Sequence, residues 1–341
     1  MPQPWIHKAK TDGLFILSPP FIILAVVFCC QGWLQALEQK YSFYTWLFLV
    51  VFIDVAHVYA TLFKTYFVPS AFKAQKKLLI ALPVVCLIIG LALFLCGSKV
   101  FWVTLAYVAV FHFIRQQYGF MRLYARFESK TKFNIVTDNF AIYAATVYPM
   151  VYWFMSPPRA YNWFMPNEFF TYQNSQLLTV FTYLYYFSLS IYVLKVAYSF
   201  IENGYFNIPK NAIVAGTAAS WYFGIVYFNN DLIFTMLNIV SHGIPYMALV
   251  YLKEIKQAKT PYPGLLSYLS NHKGIIIYAG ILIALAFSEE YLWEILVWNE
   301  NFSIGKIAAF ESWHFLLVPL LVVPQFTHYL LDGFIWKTKK Q

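Results

Sequence analysis

Ionisable side chains inside long apolar stretches are the residues of this sequence that could do chemistry. Four histidines and two aspartates lie in such stretches: His57, His112, His242, His328, Asp54 and Asp332. An ionisable group within a membrane span costs about 2.5–3.5 kcal/mol on insertion scales, so by default it indicates a function. Imidazole and carboxylate groups together suit iron, zinc, manganese or copper.

Two of the histidines have a carboxylate at helical spacing. Asp54 and His57 are three residues apart, and His328 and Asp332 are four residues apart. Both spacings place the two side chains on one face of a helix. Each carboxylate could therefore bind a metal itself or fix the tautomer of its histidine from outside the ligand shell.

Arg115 and the cysteines complete the inventory of reactive groups. Arg115 follows His112 by one helical turn, and we expect it to pair with Asp54 or Asp332, or to hold a carboxylate or the polar end of a substrate. The four cysteines match no metal-binding spacing, and we expect them to act as small packing residues: Cys29, Cys30, Cys86 and Cys96. The lack of thiolate ligands disfavours iron–sulfur chemistry.

The composition predicts which elements position these groups. Of the 341 residues, 60% are hydrophobic and only 11% are charged, whereas soluble domains carry about 25% charged residues. The apolar residues fall in blocks near the length that crosses a bilayer as a helix. We therefore predict one integral membrane domain, residues 1–341, all-α, a bundle of about ten helices. These lie near 14–37, 43–63, 78–97, 100–121, 138–156, 177–200, 211–229, 231–252, 274–298 and 308–336.

The distribution of basic residues predicts the orientation. If the N-terminus is cytoplasmic, the cytoplasmic side holds 20 of the 24 Lys and Arg residues, as expected of cytoplasmic loops. Both termini, including the basic tail Lys337, Lys339 and Lys340, are then cytoplasmic. This grouping explains the net charge of +9 without a nucleic-acid partner. We expect a multi-pass protein of a bacterial inner membrane, in contact with the lipid bilayer.

The four histidines share one predicted depth. They lie on the second, fourth, eighth and tenth predicted helices, which run from outside to inside. Each precedes the basic residue at the cytoplasmic end of its helix by 7 to 11 positions: His57 and Lys64, His112 and Arg122, His242 and Lys253, His328 and Lys337. At 1.5 Å per residue, the imidazoles lie about 10–17 Å from these anchors. We therefore predict a metal centre bound by the four histidines, with Asp54 and Asp332 as ligands or partners of ligands.

A second set of polar residues is expected near the outer surface. His314 precedes His328 by 14 residues, or about 21 Å along a straight helix, which is too far to bind the same ion. We expect His314 and Glu311 to form a solvated pair there, with a second polar site as the alternative. Three glutamates are expected to emerge at the same level: Glu289, Glu290 and Glu294.

The arrangement resembles a known group of membrane enzymes. The stretches DVAH (54–57), FHFIRQQYG (111–119), SHGIPY (241–246) and HYLLDGFIWK (328–337) resemble the histidine usage of bacterial carotene-cleaving dioxygenases of the bacteriorhodopsin-related-protein type. This resemblance implies a histidine-ligated non-haem iron and O₂ chemistry on a hydrophobic polyene. A looser resemblance to membrane fatty-acid desaturases lacks their HxxxH and HxxHH boxes.

The sequence therefore predicts a non-haem iron oxygenase of the membrane that acts on a lipid or isoprenoid, a carotenoid-like small molecule. Two alternatives remain open. In a transporter or proton-coupled carrier, the intramembrane His and Asp residues form a relay. In a haem-binding membrane protein, two of the histidines are axial ligands.

Overall fold

The computed structural model describes residues 2–258, 262–271, 273–298 and 308–336. Over these residues the protein is helical, with no strands, as predicted. The basic tail Lys337, Lys339 and Lys340, which carried part of the orientation argument, lies outside the described residues.

The helices follow one another with short connections. Their bounds are α1 (Ala9–Asp12), α2 (Pro19–Thr45), α3 (Ala56–Ala60), α4 (Pro69–Leu95), α5 (Ser98–Tyr124), α6 (Lys132–Met155), α7 (Ser175–Asn203), α8 (Ile208–Trp221), α9 (Asp231–Val250), α10 (Gly274–Trp293) and α11 (His314–Ile335).

Several helices continue into π-helical turns, which are rare and often occur at functional sites. The longest, Trp46–Val55, joins α2 to α3 and carries Asp54. A shorter one, Glu294–Trp298, extends α10. Both lie beside polar residues of the apolar stretches, and the sequence pattern did not predict them.

Within the described residues, seven helices are long and apolar enough to cross a membrane, or eight if the bent pair Ala9–Leu17 and Pro19–Leu34 is one span. The chain thus fits a multi-pass integral membrane protein. Helices also form at the predicted positions 138–156 and 211–229, as α6 and α8. These two are not among the apolar spans, so the count of ten spans remains a prediction.

The chain folds as two compact units. The first comprises residues 1–38 and 110–245, and the second comprises residues 39–109 and 246–341. In the first unit, α6 packs against α7 and α8. Between α6 and α7 the Lys195 ammonium donates to Asp138 over 2.6 Å, and Lys210 of α8 donates to Glu128, in the loop before α6, over 2.7 Å. Charges buried among apolar helices need such partners, because an unpaired charge there is costly.

The second unit is built on two helix contacts that position polar residues. α4 packs along α11, and α10 packs along α3 and the π-helical segment before it. At Gly90 the first contact is close, since a Cβ atom there would lie 3.3 Å from the Cβ of Pro319. The second contact brings the glutamates of α10 against the segment that carries Asp54 and His57.

Candidate metal centre

All four predicted histidines are buried. The residues His57, His112, His242 and His328 have relative exposures of 1%, 3%, 0% and 2%. Groups drawn from these histidines and the half-buried Asp332 could hold a metal ion. Two of the histidines lie in each compact unit, and each unit brings its own pair together.

In the second unit, α3 and α11 bring His57 and His328 together. Their ring centroids are 4.9 Å apart, and the ring planes are nearly perpendicular at 80°. The ring of Tyr246 packs edge-on against both, at 6.0 Å from His57 and 5.2 Å from His328. Three buried rings from three separate stretches of sequence thus form one cluster.

Backbone hydrogen bonding fixes the tautomer of His57. Its Nδ1 bonds to the backbone carbonyl oxygen of Asp54, and a carbonyl oxygen can only accept. Nδ1 therefore carries the proton, and Nε2 carries the lone pair that a metal requires. The Asp54 carboxylate lies 3.6 Å from the same Nδ1, with 32% of its side chain exposed. Asp54 orients His57 mainly through its main chain, which the spacing of side chains did not predict.

A chain of hydroxyl groups fixes the tautomer of His328. Its Nδ1 lies 2.7 Å from the Thr61 hydroxyl, which lies 3.0 Å from the Tyr246 hydroxyl. Tyr246 in turn donates to Asp332 over 2.6 Å. An ionised carboxylate only accepts, so the direction runs from His328 through Thr61 and Tyr246 to Asp332. Nε2 of His328 again carries the lone pair.

In the first unit, α5 and α9 bring His112 and His242 together. Their ring centroids are 5.1 Å apart at an interplanar angle of 80°. Phe113 stacks flat on His242, with centroids 3.5 Å apart and planes 4° from parallel. Trp163, from the loop between α6 and α7, packs edge-on against Phe113 at 5.0 Å. This aromatic layer covers one face of His242.

The spacing within each pair matches two ligands of one ion. A histidine nitrogen lies about 2.1 Å from a bound divalent metal, which places the ring centroid about 3.2 Å from it. Two such rings at ligand angles of about 90–110° then have centroids roughly 4.5–5.2 Å apart. The centroid distances of 4.9 Å and 5.1 Å within the two pairs fall in this range. Ligands on opposite sides of an ion would need about 6.4 Å.

A proline break in α9 is repaired by the residues that follow His112 on α5. Pro245 has no N–H group, so the carbonyl of Ser241 loses its helical partner. Gln117 donates to this carbonyl over 3.5 Å and accepts from the Thr217 hydroxyl at 2.9 Å. Gln116 donates to the next carbonyl, that of His242, over 2.9 Å. The repair anchors the backbone of His242 to the helix that carries His112.

Arg115 has different partners from those expected. It is exposed on α5, where it donates to the Tyr143 hydroxyl over 2.5 Å and lies 4.5 Å above the ring of Tyr118. Among the residues that the structure describes it forms no ion pair, so the expected carboxylate partner is not found. Two tyrosines hold the guanidinium instead.

The residues expected near the outer surface also have different surroundings from those predicted. His314 bonds to the carbonyl oxygen of Leu296 over 3.2 Å, and Glu311 is exposed. The glutamates expected to emerge beside them are buried instead, with exposures of 5% for Glu289, 9% for Glu290 and 2% for Glu294. Tyr59 donates to Glu289 over 2.6 Å. These carboxylates face protein because α10 packs along α3.

Two residues of the site, Thr61 and Gln117, were not predicted from the sequence. Thr61 follows His57 by four residues on the same helix face, a spacing that could have identified it. Gln117 could have been matched to the proline in α9 only with the structure in hand.

In comparisons with protein-family models, curated proteins and solved structures, no match to this chain was found.

The repair of α9 makes a quantitative prediction. Gln117→Ala leaves the Ser241 carbonyl without its donor and should lower the free energy of unfolding by about 1–3 kcal/mol. In a Pro245→Ala background the new backbone N–H can bond to Ser241, so the same substitution should cost about 1 kcal/mol less. Denaturant unfolding in detergent of the four proteins of this cycle measures the difference.

Gln116→Ala is the matched control for this cycle. Its acceptor, the His242 carbonyl, is not the one that Pro245 frees, so its cost should not change in the Pro245→Ala background. Equal costs of Gln117→Ala in both backgrounds would show that the proposed repair of Ser241 contributes nothing.

Proposed function

We propose that this protein is a membrane-embedded metalloenzyme, a non-haem iron oxygenase that acts on a lipid or isoprenoid substrate such as a carotenoid-like polyene. The observation that carries the proposal is the geometry of the histidine pairs. Each pair is buried and has the spacing of neighbouring ligands of one ion. In the pair formed by His57 and His328, the hydrogen bonds to Nδ1 leave Nε2 of each ring with its lone pair.

The common depth of the four histidines in the sequence supports one ion bound by both pairs. Four imidazoles as ligands leave further positions of the ion for O₂ and substrate. The iron would supply the one-electron chemistry through which O₂ reacts with an otherwise inert apolar substrate.

The protein's own residues have distinct roles in this proposal. Asp332 holds His328 through Tyr246 and Thr61, and Asp54 holds His57, so both rings are oriented before an ion binds. Phe113 and Trp163 keep bulk water from the face of His242. Arg115, exposed about 4.5 Å further along the helix axis than His112, can hold the carboxylate or other polar end of a lipid substrate.

The two alternatives predict different metal contents. Within each pair the rings lie too close to be the opposite axial ligands of a haem, which counts against that alternative for either pair alone. A carrier that uses the hydroxyl chain as a proton relay needs no metal. Iron analysis with an absorption spectrum therefore separates the three functions.

The first prediction of this proposal concerns stoichiometry. Purified protein should contain one iron per chain and show no Soret band, and both His57→Ala and His242→Ala should lose that iron. His314→Ala is the matched control and should keep it, because His314 lies about 21 Å along its helix from His328. Loss of only half the metal in each variant would mean two separate ions, and unchanged iron in both would remove the site.

The second prediction concerns the hydroxyl chain. Thr61→Val keeps the shape of the side chain but removes the group between His328 and Tyr246. Because such outer hydrogen bonds typically change metal affinity 10–100-fold, the variant should bind Fe²⁺ about tenfold more weakly in an anaerobic titration. Thr104→Val, whose hydroxyl bonds only within its own helix, should bind as wild type. Equal affinities would exclude Thr61 from the site.

The proposal includes ten spans with both termini in the cytoplasm, supported by the distribution of Lys and Arg. Single cysteines in a variant without native cysteines test it at two exposed loop positions. Ser129→Cys should react with a membrane-impermeant maleimide only after the membrane is opened, and Asn162→Cys should react in intact cells. The reverse labelling would invert the topology, and labelling of both positions from one side would exclude α6 as a span.

A further inference from the structure

An exposed stripe of α5 carries two arginines. Phe111 is 62% exposed, as expected of a side chain that contacts hydrocarbon. Arg115, Gly119 and Arg122 follow it at intervals of three or four residues, so all four residues lie on one face of the helix. There is open space where Gly119 lacks a side chain. Arg115, Gly119 and Arg122 therefore form a shallow groove on the surface of the first unit, the arginine groove.

Arg115 is held in place without being neutralised. It donates to the Tyr143 hydroxyl over 2.5 Å and lies 4.5 Å above the ring of Tyr118. The two tyrosine rings stack on each other with centroids 5.4 Å apart. A guanidinium group has five N–H donors, and neither tyrosine supplies a negative charge. The tyrosines thus orient the cation and leave donors for an anion.

Arg122 has no polar partner in the described part of the chain. It is half-buried, and it forms neither a hydrogen bond nor an ion pair with any residue that the structure describes. It lies about 10 Å further along the helix axis than Arg115, which in the proposed topology is the cytoplasmic end of α5. The exposed residues Lys130 and Lys132 follow in the loop and at the start of α6. This stretch of chain therefore gathers positive charge.

The acidic residues of the same stretch have other partners. Helices α5 and α6 and the loop between them contain only two, Glu128 and Asp138. Glu128 accepts from Lys210 over 2.7 Å, and Asp138 accepts from Lys195 over 2.6 Å. Neither carboxylate balances the charge of the arginine groove.

The bilayer offers the anion that these helices lack. The planar fork of a guanidinium group matches the oxygens of a phosphate, and basic residues at the cytoplasmic end of a membrane helix attract anionic lipids. A long basic side chain within a span extends its charge towards the headgroups. From these observations we propose that the arginine groove binds the phosphate of an anionic phospholipid of the cytoplasmic leaflet, whose acyl chains lie along α5 towards Phe111.

This inference goes beyond the proposed enzyme and requires no metal. The two share Arg115, which in the proposed function holds the polar end of a lipid substrate. Arg122 has no role in that function, whereas the phospholipid site needs both guanidinium groups. Variants of Arg122 therefore test the phospholipid site separately.

The test is the binding of defined lipids to the purified protein in detergent. Phosphatidylglycerol and phosphatidylcholine with identical acyl chains are titrated in turn, and native mass spectrometry counts the bound molecules of each. Wild-type protein should bind the first phosphatidylglycerol more than tenfold more tightly than phosphatidylcholine, whose choline group cancels the phosphate charge. Arg115→Gln and Arg122→Gln should each weaken phosphatidylglycerol binding about fivefold, which corresponds to about 1 kcal/mol for one basic residue beside an anionic lipid.

Two variants serve as controls. Arg122→Lys keeps the positive charge and should retain the preference for phosphatidylglycerol, which separates loss of charge from loss of fold. Lys99→Gln removes a charge at an exposed position of the opposite end of α5 and should bind both lipids as wild type does.

Three results would overturn the proposal. The first is equal affinity of the wild-type protein for the two lipids. The second is a preference for phosphatidylglycerol that survives in both glutamine variants, which would place the anion elsewhere. The third is a preference that depends on Arg115 but not on Arg122, which would remove the phospholipid site and leave the substrate role of Arg115 intact.

Discussion

The structure depends on one constraint, that hydrocarbon cannot hydrogen-bond or solvate the polar groups of the spans. Each polar side chain within the apolar helices must therefore find its partner inside the protein. The constraint is visible at Lys195, which lies against Asp138, and at the Ser241 carbonyl, which loses its helical donor to Pro245 and receives Gln117 instead. The same requirement brings polar residues from distant parts of the chain into contact.

At the histidines this constraint has a chemical consequence. The partners of His57 and His328 bond to Nδ1 of each ring, so both rings keep the Nε2 lone pair that binds metals. A ring whose tautomer and orientation are already set loses little entropy when an ion binds. The hydrogen bonds that make a buried histidine tolerable are thus the ones that prepare it as a ligand. The proposed enzyme therefore needs no further group to orient these two rings before an ion binds.

The sequence by itself determined the helical class and the identity of the buried histidines, and it predicted helices that are long and apolar enough to cross a membrane. The length and apolarity of a helix and the cost of a polar residue within it are properties of local sequence. It also predicted a partner role for Asp332, at helical spacing from His328. Only the tertiary structure decided that Tyr246 and Thr61 connect these two residues, that Arg115 contacts Tyr143, and that Glu289, Glu290 and Glu294 face protein. Those outcomes depend on which helices pack together, and residues far apart in sequence carry no local signal of their contact.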